Sequence, residues 1–274
     1  MMPQLAWATG ETLTGDGTAD NPYQISDVAD LKAFRNKVNE GATSIHAKLM
    51  DNINLNNEAW TPISNVSAIA SAFAGTFDGN GKTISGLYVN ATAANQGLFG
   101  LINGATIQNL KVEGTVYSTK SYVGGIVGKV HTGTIENCGF GGSDSSVESE
   151  SESGYVGGIV GGLNSTGVKI SGCYNKASVT GKYAGGILGY WKTSAEIENC
   201  YNTGTIRGSY NSAGITGQLS KGRYCAATIC SSTVASTSTP SPTLSIYGAR
   251  MKVIGTFPSS PNSASVKKLP SCLP

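Results

Sequence analysis

The chain has 274 residues, 37 of them glycine, with 13% charged residues and twice as many tyrosines (12) as phenylalanines (6). That composition describes a Gly-rich, polar β-protein and argues against a helical enzyme. The net charge of +2 hides an asymmetry: residues 1–206 hold all seventeen acids against twelve Lys/Arg, whereas residues 207–274 hold seven Lys/Arg and no acid. An acidic main body gives no footing for nucleic-acid binding. No apolar run reaches membrane-spanning length, so no membrane insertion is expected, and the start, MMPQLAWATGETLTGDG, lacks the basic and apolar regions of a signal peptide.

The first predicted element is a helix. Ser26 is suited to cap it, and Val28, Leu31, Phe34 and Val38 recur at helical spacing, so residues 27–39 read as one amphipathic helix. Its expected role is to cover the open end of the β-structure on its C-terminal side. Segments AKLMDNINL and GTFDGNGKTISGLYVN then supply the first, less regular β-type stretches.

From residue 95 the chain repeats itself. NQGLFG, YVGGIVG, YVGGIVG, YAGGILG and NSAGITG end at Gly100, Gly128, Gly161, Gly189 and Gly217, spaced 28, 33, 28 and 28 residues apart. TIQNLKV, TIENCGF, KISGCYN and EIENCYN come after the first four, aligning Ile107, Ile135, Ile170 and Ile197, with Ile84 assigned to the same column one coil earlier. A third column reads Val116, Val147, Val179 and Ile206. Three short β-type stretches per 28 residues, without helical periodicity, predict an all-β, right-handed parallel β-helix whose coils stack at about 4.8 Å. Paired glycines are expected to supply tight corners with backbone conformations closed to other residues. The chain divides accordingly into an N-terminal segment with its capping helix (1–40), the solenoid (41–220) and an irregular Ser/Thr/Pro-rich tail (221–274). Loss of the reading frame near residue 221 would explain the abrupt loss of acids there. The five extra residues between Gly128 and Gly161 fall in SDSSVESESES, read as a corner bulge or as a lengthened strand with Glu148, Glu150 and Glu152 outward.

These blocks, from GTADNPYQISDVADLKAF through DNINL, WTPI, GTFDGNGKTISGLYV and GLFG to the tandem GGIVG and IENCYNTGTI segments, resemble bacterial surface proteins carrying the Glug motif. The resemblance spans about residues 15–219. It implies a secreted or surface-attached protein, adhesin-like or an accessory region of a larger surface peptidase, and it brings no catalytic residues.

Chemistry-bearing residues are few. Cys138, Cys173 and Cys200 occupy equivalent places, preceded by Leu110 and Leu87, so they read as an interior ladder of reduced thiols rather than a disulfide framework or metal site. Glu136 and Glu198 match in position, but Ser171 separates them. Asp78 belongs to a turn, and His46 and His131 lack nucleophile context. No catalytic residue, metal or cofactor is therefore expected; a polysaccharide lyase or glycoside hydrolase on a β-helix and a passive spacer are the alternatives. Ice binding fails for want of regular threonine rows. Tyrosine is the suggestive class: Tyr122, Tyr155 and Tyr183 precede paired glycines, and Tyr174 and Tyr201 come directly after ladder cysteines. They form either a stabilising aromatic stack or a strip for glycans or surface proteins. The expectation is a monomeric, non-enzymatic, extracellular or cell-surface binding scaffold, a fragment of a larger protein.

Overall fold

A computed structural model of the chain describes residues 13–192, 195–219, 226–228 and 231–232. Between its strands the pairing is parallel throughout, each strand lying beside its equivalent in the next coil. One sheet stacks eight strands in chain order: Tyr23–Ile25, Ala47–Leu49, Thr76–Asp78, Ala105–Gln108, Gly133–Glu136, Val168–Ser171, Ala195–Glu198 and Ala226–Thr228. A second stacks five: Phe99–Ile102, Val127–Val130, Val160–Leu163, Leu188–Trp191 and Thr216–Leu219. The third carries the long strands Thr83–Ala91, Lys111–Ser118, Ser178–Gly185 and Ile206–Ala213, with shorter ones between. Three faces around one apolar interior make a parallel β-solenoid. Because every coil presents its backbone groups to the coils on either side, the interior needs no other source of hydrogen bonds.

The isoleucine column stands as read: Ile107, Ile135, Ile170 and Ile197 are direct partners and all fully buried. Its member one coil earlier is Phe77, however, and Ile84 lies opposite Val112 on the third sheet. Four residues (79–82) separate the strands there, where two (109 and 110) serve in the next coil, so the turn displaces TISGLYV from the block it resembles. Leu87 is moved with it and faces Gly114 rather than preceding Leu110. The third column runs Val89, Val116, Val147, Val179, Ile206.

The corner that enters the third sheet explains the IENC block. Asn109, Asn137 and Asn199 have φ of 53°, 52° and 52°, and Gly172 takes the same place with φ 62°. Asparagine and glycine are the residues that reach this left-handed region at least cost. The next residue then points inward, which buries Leu110, Cys138, Cys173 and Cys200. At the other corner the paired glycines work differently from expectation: none of Gly124, Gly125, Gly157, Gly158, Gly185 or Gly186 has positive φ. They are required by close approach. A Cβ on Gly125, Gly158 or Gly186 would overlap the side chain of Phe140, Asn175 or Asn202 respectively, the residue that fills that corner from inside.

The helix, Val28–Asn39, buries Leu31, Phe34 and Val38. Its cap is Asp27 rather than Ser26: Asp27 Oδ1 accepts from the Asp30 N–H at 2.9 Å, and Asp30 Oδ2 accepts from the Ser26 N–H at 2.9 Å. The carboxylate serves better here because the reciprocal pair satisfies two N–H groups at once. Phe34 meets Phe73 and Phe77 at 5.9 and 5.6 Å between ring centres, so the helix closes the apolar end of the stack.

The acidic insertion is two insertions. Ser146–Ser149 keeps register with Lys111–Ser118, Val147 opposite Val116, while three extra residues fall before it and two after. Ser145 holds the first bulge, its hydroxyl accepting from Gly114 N–H and Gly142 N–H at 3.0 and 2.8 Å. Glu148, Glu150 and Glu152 are all exposed. Beyond residue 220, Ala226–Thr228 pairs with Glu196–Glu198 and Ser231–Ser232 with Tyr201–Asn202. The rest of the tail, and with it the expected loss of reading frame, lies outside the described residues. Among the described residues no helix is long and apolar enough to cross a membrane.

Candidate binding surface

The tyrosines fall into two separate groups rather than one strip. Tyr174 and Tyr201 are register partners whose rings stack at 5.4 Å and 14°. Tyr174 lies against Gly139, whose missing Cβ leaves room for the ring, and Lys176 Nζ sits 5.3 Å from the ring centre. Tyr122, Tyr155 and Tyr183 form the other group, at the corner between the third and second sheets. Tyr155 is its centre, with Tyr122 at 5.4 Å and Tyr183 at 5.1 Å.

Two members of this second group were not singled out from the repeat. Tyr190 stacks on Tyr155 at 4.3 Å and 24°, and Tyr210, 69% exposed, meets Tyr183 edge-on at 5.3 Å. Tyr190 belongs to a column reading Leu101, Lys129, Gly162, Tyr190, Gln218, which shows no shared chemistry from coil to coil. Repeat comparison had no signal to offer there. Gly162 makes the grouping sterically feasible, since a Cβ on it would stand 2.6 Å from Cδ1 of Tyr122. Lys129 Nζ lies 4.6 Å from the Tyr122 ring centre.

The stacked pairs Tyr174–Tyr201, Tyr155–Tyr183 and Tyr155–Tyr190 turn their ring faces toward each other. Burial pushes the phenols of Tyr122 and Tyr155 above their ordinary range, with neighbouring tyrosines adding to it, so they remain protonated donors at neutral pH. Burial lowers Lys129, and the charge of Lys192 lowers it further.

Around the acidic insertion, an open groove of about 500 Å³ is lined by Glu148, Glu150 and Glu152 on one side and Lys182 and Arg207 on the other. Glu152 pairs with Lys182 at 3.6 Å. Elsewhere the carboxylates have structural work. Asp78 Oδ1 accepts from Asn80 N–H and Asn109 Nδ2, and Glu198 pairs with Lys169 at 3.6 Å. Glu136, Ser171 and Glu198 succeed one another along one column, which sets the two glutamates two coils apart, about 10 Å in backbone spacing. His46 Nδ1 accepts from Thr76 N–H, and His131 Nδ1 shares a hydrogen bond with Asn164. Among the described residues no three His, Cys, Asp or Glu side chains come together to hold a metal.

The ladder thiols are free and buried. Each donates to the carbonyl two residues back, Cys138 to Glu136 at 3.2 Å, Cys173 to Ser171 at 3.3 Å and Cys200 to Glu198 at 3.2 Å. The neighbouring ladder thiols, then burial, push Cys173 and Cys200 well above the usual thiol range, so neither offers a thiolate.

Comparison with known proteins agrees with this architecture. The chain carries the GLUG motif, matched over residues 120–146. It is 32% identical to Halomucin of Haloquadratum walsbyi over 215 residues, 64% of this chain but 2% of Halomucin. It is 35% identical over 134 residues to an Evansella cellulosilytica protein whose name describes a Gly-rich membrane protein, covering 45% of this chain and 15% of that one. The chain thus spans a small part of the relatives it matches. A solved structure from Bacteroides ovatus, named as a candidate immunoglobulin A1 protease, superposes with a TM-score of 0.58 at 19% identity, over 85% of this chain and 84% of that one. At that identity the likeness is one of fold.

Proposed function

We propose that this GLUG-motif solenoid is a non-enzymatic binding or adhesion scaffold, displayed outside the cell as part of a larger surface protein. The observation that carries the reading is the pair of tyrosine groups standing on the outside of the coils, each with a lysine on one of its rings. A protein that only needed to fold would gain as much from aliphatic residues turned inward. Phenol and ammonium groups held by a rigid stack are pre-organised contacts, which lowers the ordering cost of binding. Tyr122, Tyr155 and Tyr183 form one proposed contact row and Tyr174 with Tyr201 the other, with glycans or surface proteins as partners of the single chain. The similarity to Halomucin and to a protein named for the membrane supports display at the surface, and the dispersal of carboxylates over separate coils supports binding without turnover.

A glycan array read for both retention and product formation tests this. Specific retention without cleavage is the expected result. Cleavage of a retained polysaccharide would replace the scaffold with a lyase or hydrolase, and complete silence across glycans and surface proteins would leave a passive spacer.

A further inference from the structure

The corner around Tyr155 has a composition that narrows its partner. Five tyrosines, Tyr122, Tyr155, Tyr183, Tyr190 and Tyr210, adjoin one another there, and Lys129 covers the Tyr122 ring. Lys192 follows Trp191 on the same sheet as Lys129, two coils further on, and its charge acts on Lys129. Among the described residues the ion pairs are Lys32 with Glu58, Lys169 with Glu198 and Lys182 with Glu152. Lys129 and Lys192 therefore have no carboxylate partner there, although the body of the chain is acidic. Two like charges that act on each other without a counterion favour an anion nearby.

The backbone at this corner is also strained. Tyr122 sits at φ 64°, where the coil before it has Asn95 at φ 60°, and the ring it carries lies over Gly162. An asparagine tolerates that region; for a bulky aromatic it costs roughly 1–2 kcal/mol. A strained tyrosine, a glycine that vacates space for its ring and a lysine laid on that ring converge on one place.

Resting on the scaffold reading above, we infer that the Tyr155 corner is a binding site for a carboxylated polysaccharide, in which Lys129 and Lys192 take the carboxylates and the phenols take the sugar hydroxyls. Phenols outnumber lysines there, which suits a polymer with several hydroxyls for each acid better than a polyacid. Donors that recur with the coil spacing of about 4.8 Å engage a repeating chain over several units, where a small anion would meet only one.

The test uses the whole chain at about 0.15 M salt, where exposed long-range charge effects are damped, with polygalacturonate, its fully methyl-esterified form and polyglutamate as immobilised probes. Polygalacturonate is expected to bind at least tenfold more tightly than either of the others. Lys129→Gln with Lys192→Gln should weaken it at least tenfold, and Tyr155→Phe, which keeps the ring stack and removes one hydroxyl, should weaken it several-fold with an unchanged melting temperature. Equal binding of the ester, equal binding of polyglutamate, or no effect of the lysine pair would each overturn the inference. Retention of other glycans or surface proteins without polygalacturonate would overturn it while leaving the scaffold standing; silence toward everything would remove both.

Discussion

At the helix-capped end of the stack, Phe34, Phe73, Phe77 and Phe99 meet at ring separations of 5.3 to 5.9 Å. Further along, the apolar columns continue and the corners of the same interior carry thiols and amides: Cys138, Cys173 and Cys200 on one corner, Asn175 and Asn202 on the other, the two amides bonded at 2.7 Å. The contrast reflects what each end must do. The first coils have no rung before them, so large rings must fill an irregular gap between helix and sheet. Later coils repeat about every 4.8 Å, so a side chain can pack on its own copy, as the isoleucine column does, or hydrogen-bond to it, as the amides do. Large rings close one end, and directional bonds at the corners are added to the apolar columns of the other.

The largest effect should come from breaking the aromatic end. Phe77→Ala removes a fully buried ring in contact with Phe34 and Phe99 and should cost about 3–5 kcal/mol, read by urea denaturation. Disruption of the amide ladder should cost less. Asn175→Ala deprives Asn202 Oδ1 and Ala177 N–H of their partner in a dry interior, about 1–3 kcal/mol by the same measurement. If it proves neutral, the amides merely fill space and the two ends do not differ in kind.

At the left-handed corner, Asn137→Ala should cost roughly 1–2 kcal/mol while Asn137→Gly is tolerated, because φ is 52° there. Equal losses would mean that the asparagine side chain, not its backbone, holds the corner. The remaining effect is one of pH. Cys173 and Cys200 are raised above the ordinary value of 9.0 in the folded chain, so the native state keeps protons that the unfolded state releases. Their contribution is complete below pH 9 and declines as pH rises beyond it, by up to about 1.4 kcal/mol per thiol per pH unit. A variant carrying Cys173→Ala and Cys200→Ala should lose less stability between pH 9 and 10 than the parent; parallel melting curves would show that the thiols are not titrating against the fold.

The sequence by itself determined the stack. Apolar residues 27 to 35 positions apart, such as Ile107, Ile135, Ile170 and Ile197, can be direct neighbours only if equivalent segments lie side by side, and period-two burial within each segment says strand. It also determined the helix and the inward cysteines. Register in the first coils was beyond it, because Ile84 and Phe77 are told apart by the size of one turn and TISGLYV imitates the wrong block. The reason for the paired glycines was hidden too, since it lies in Phe140, Asn175 and Asn202 reaching across the section from another segment. Only the tertiary structure brought Tyr190 and Lys129 to the Tyr155 corner. A repeat records what every coil shares, whereas this surface is built where the coils differ: Lys129, Gly162 and Tyr190 occupy one column, and their chemistry appears only when three coils are stacked.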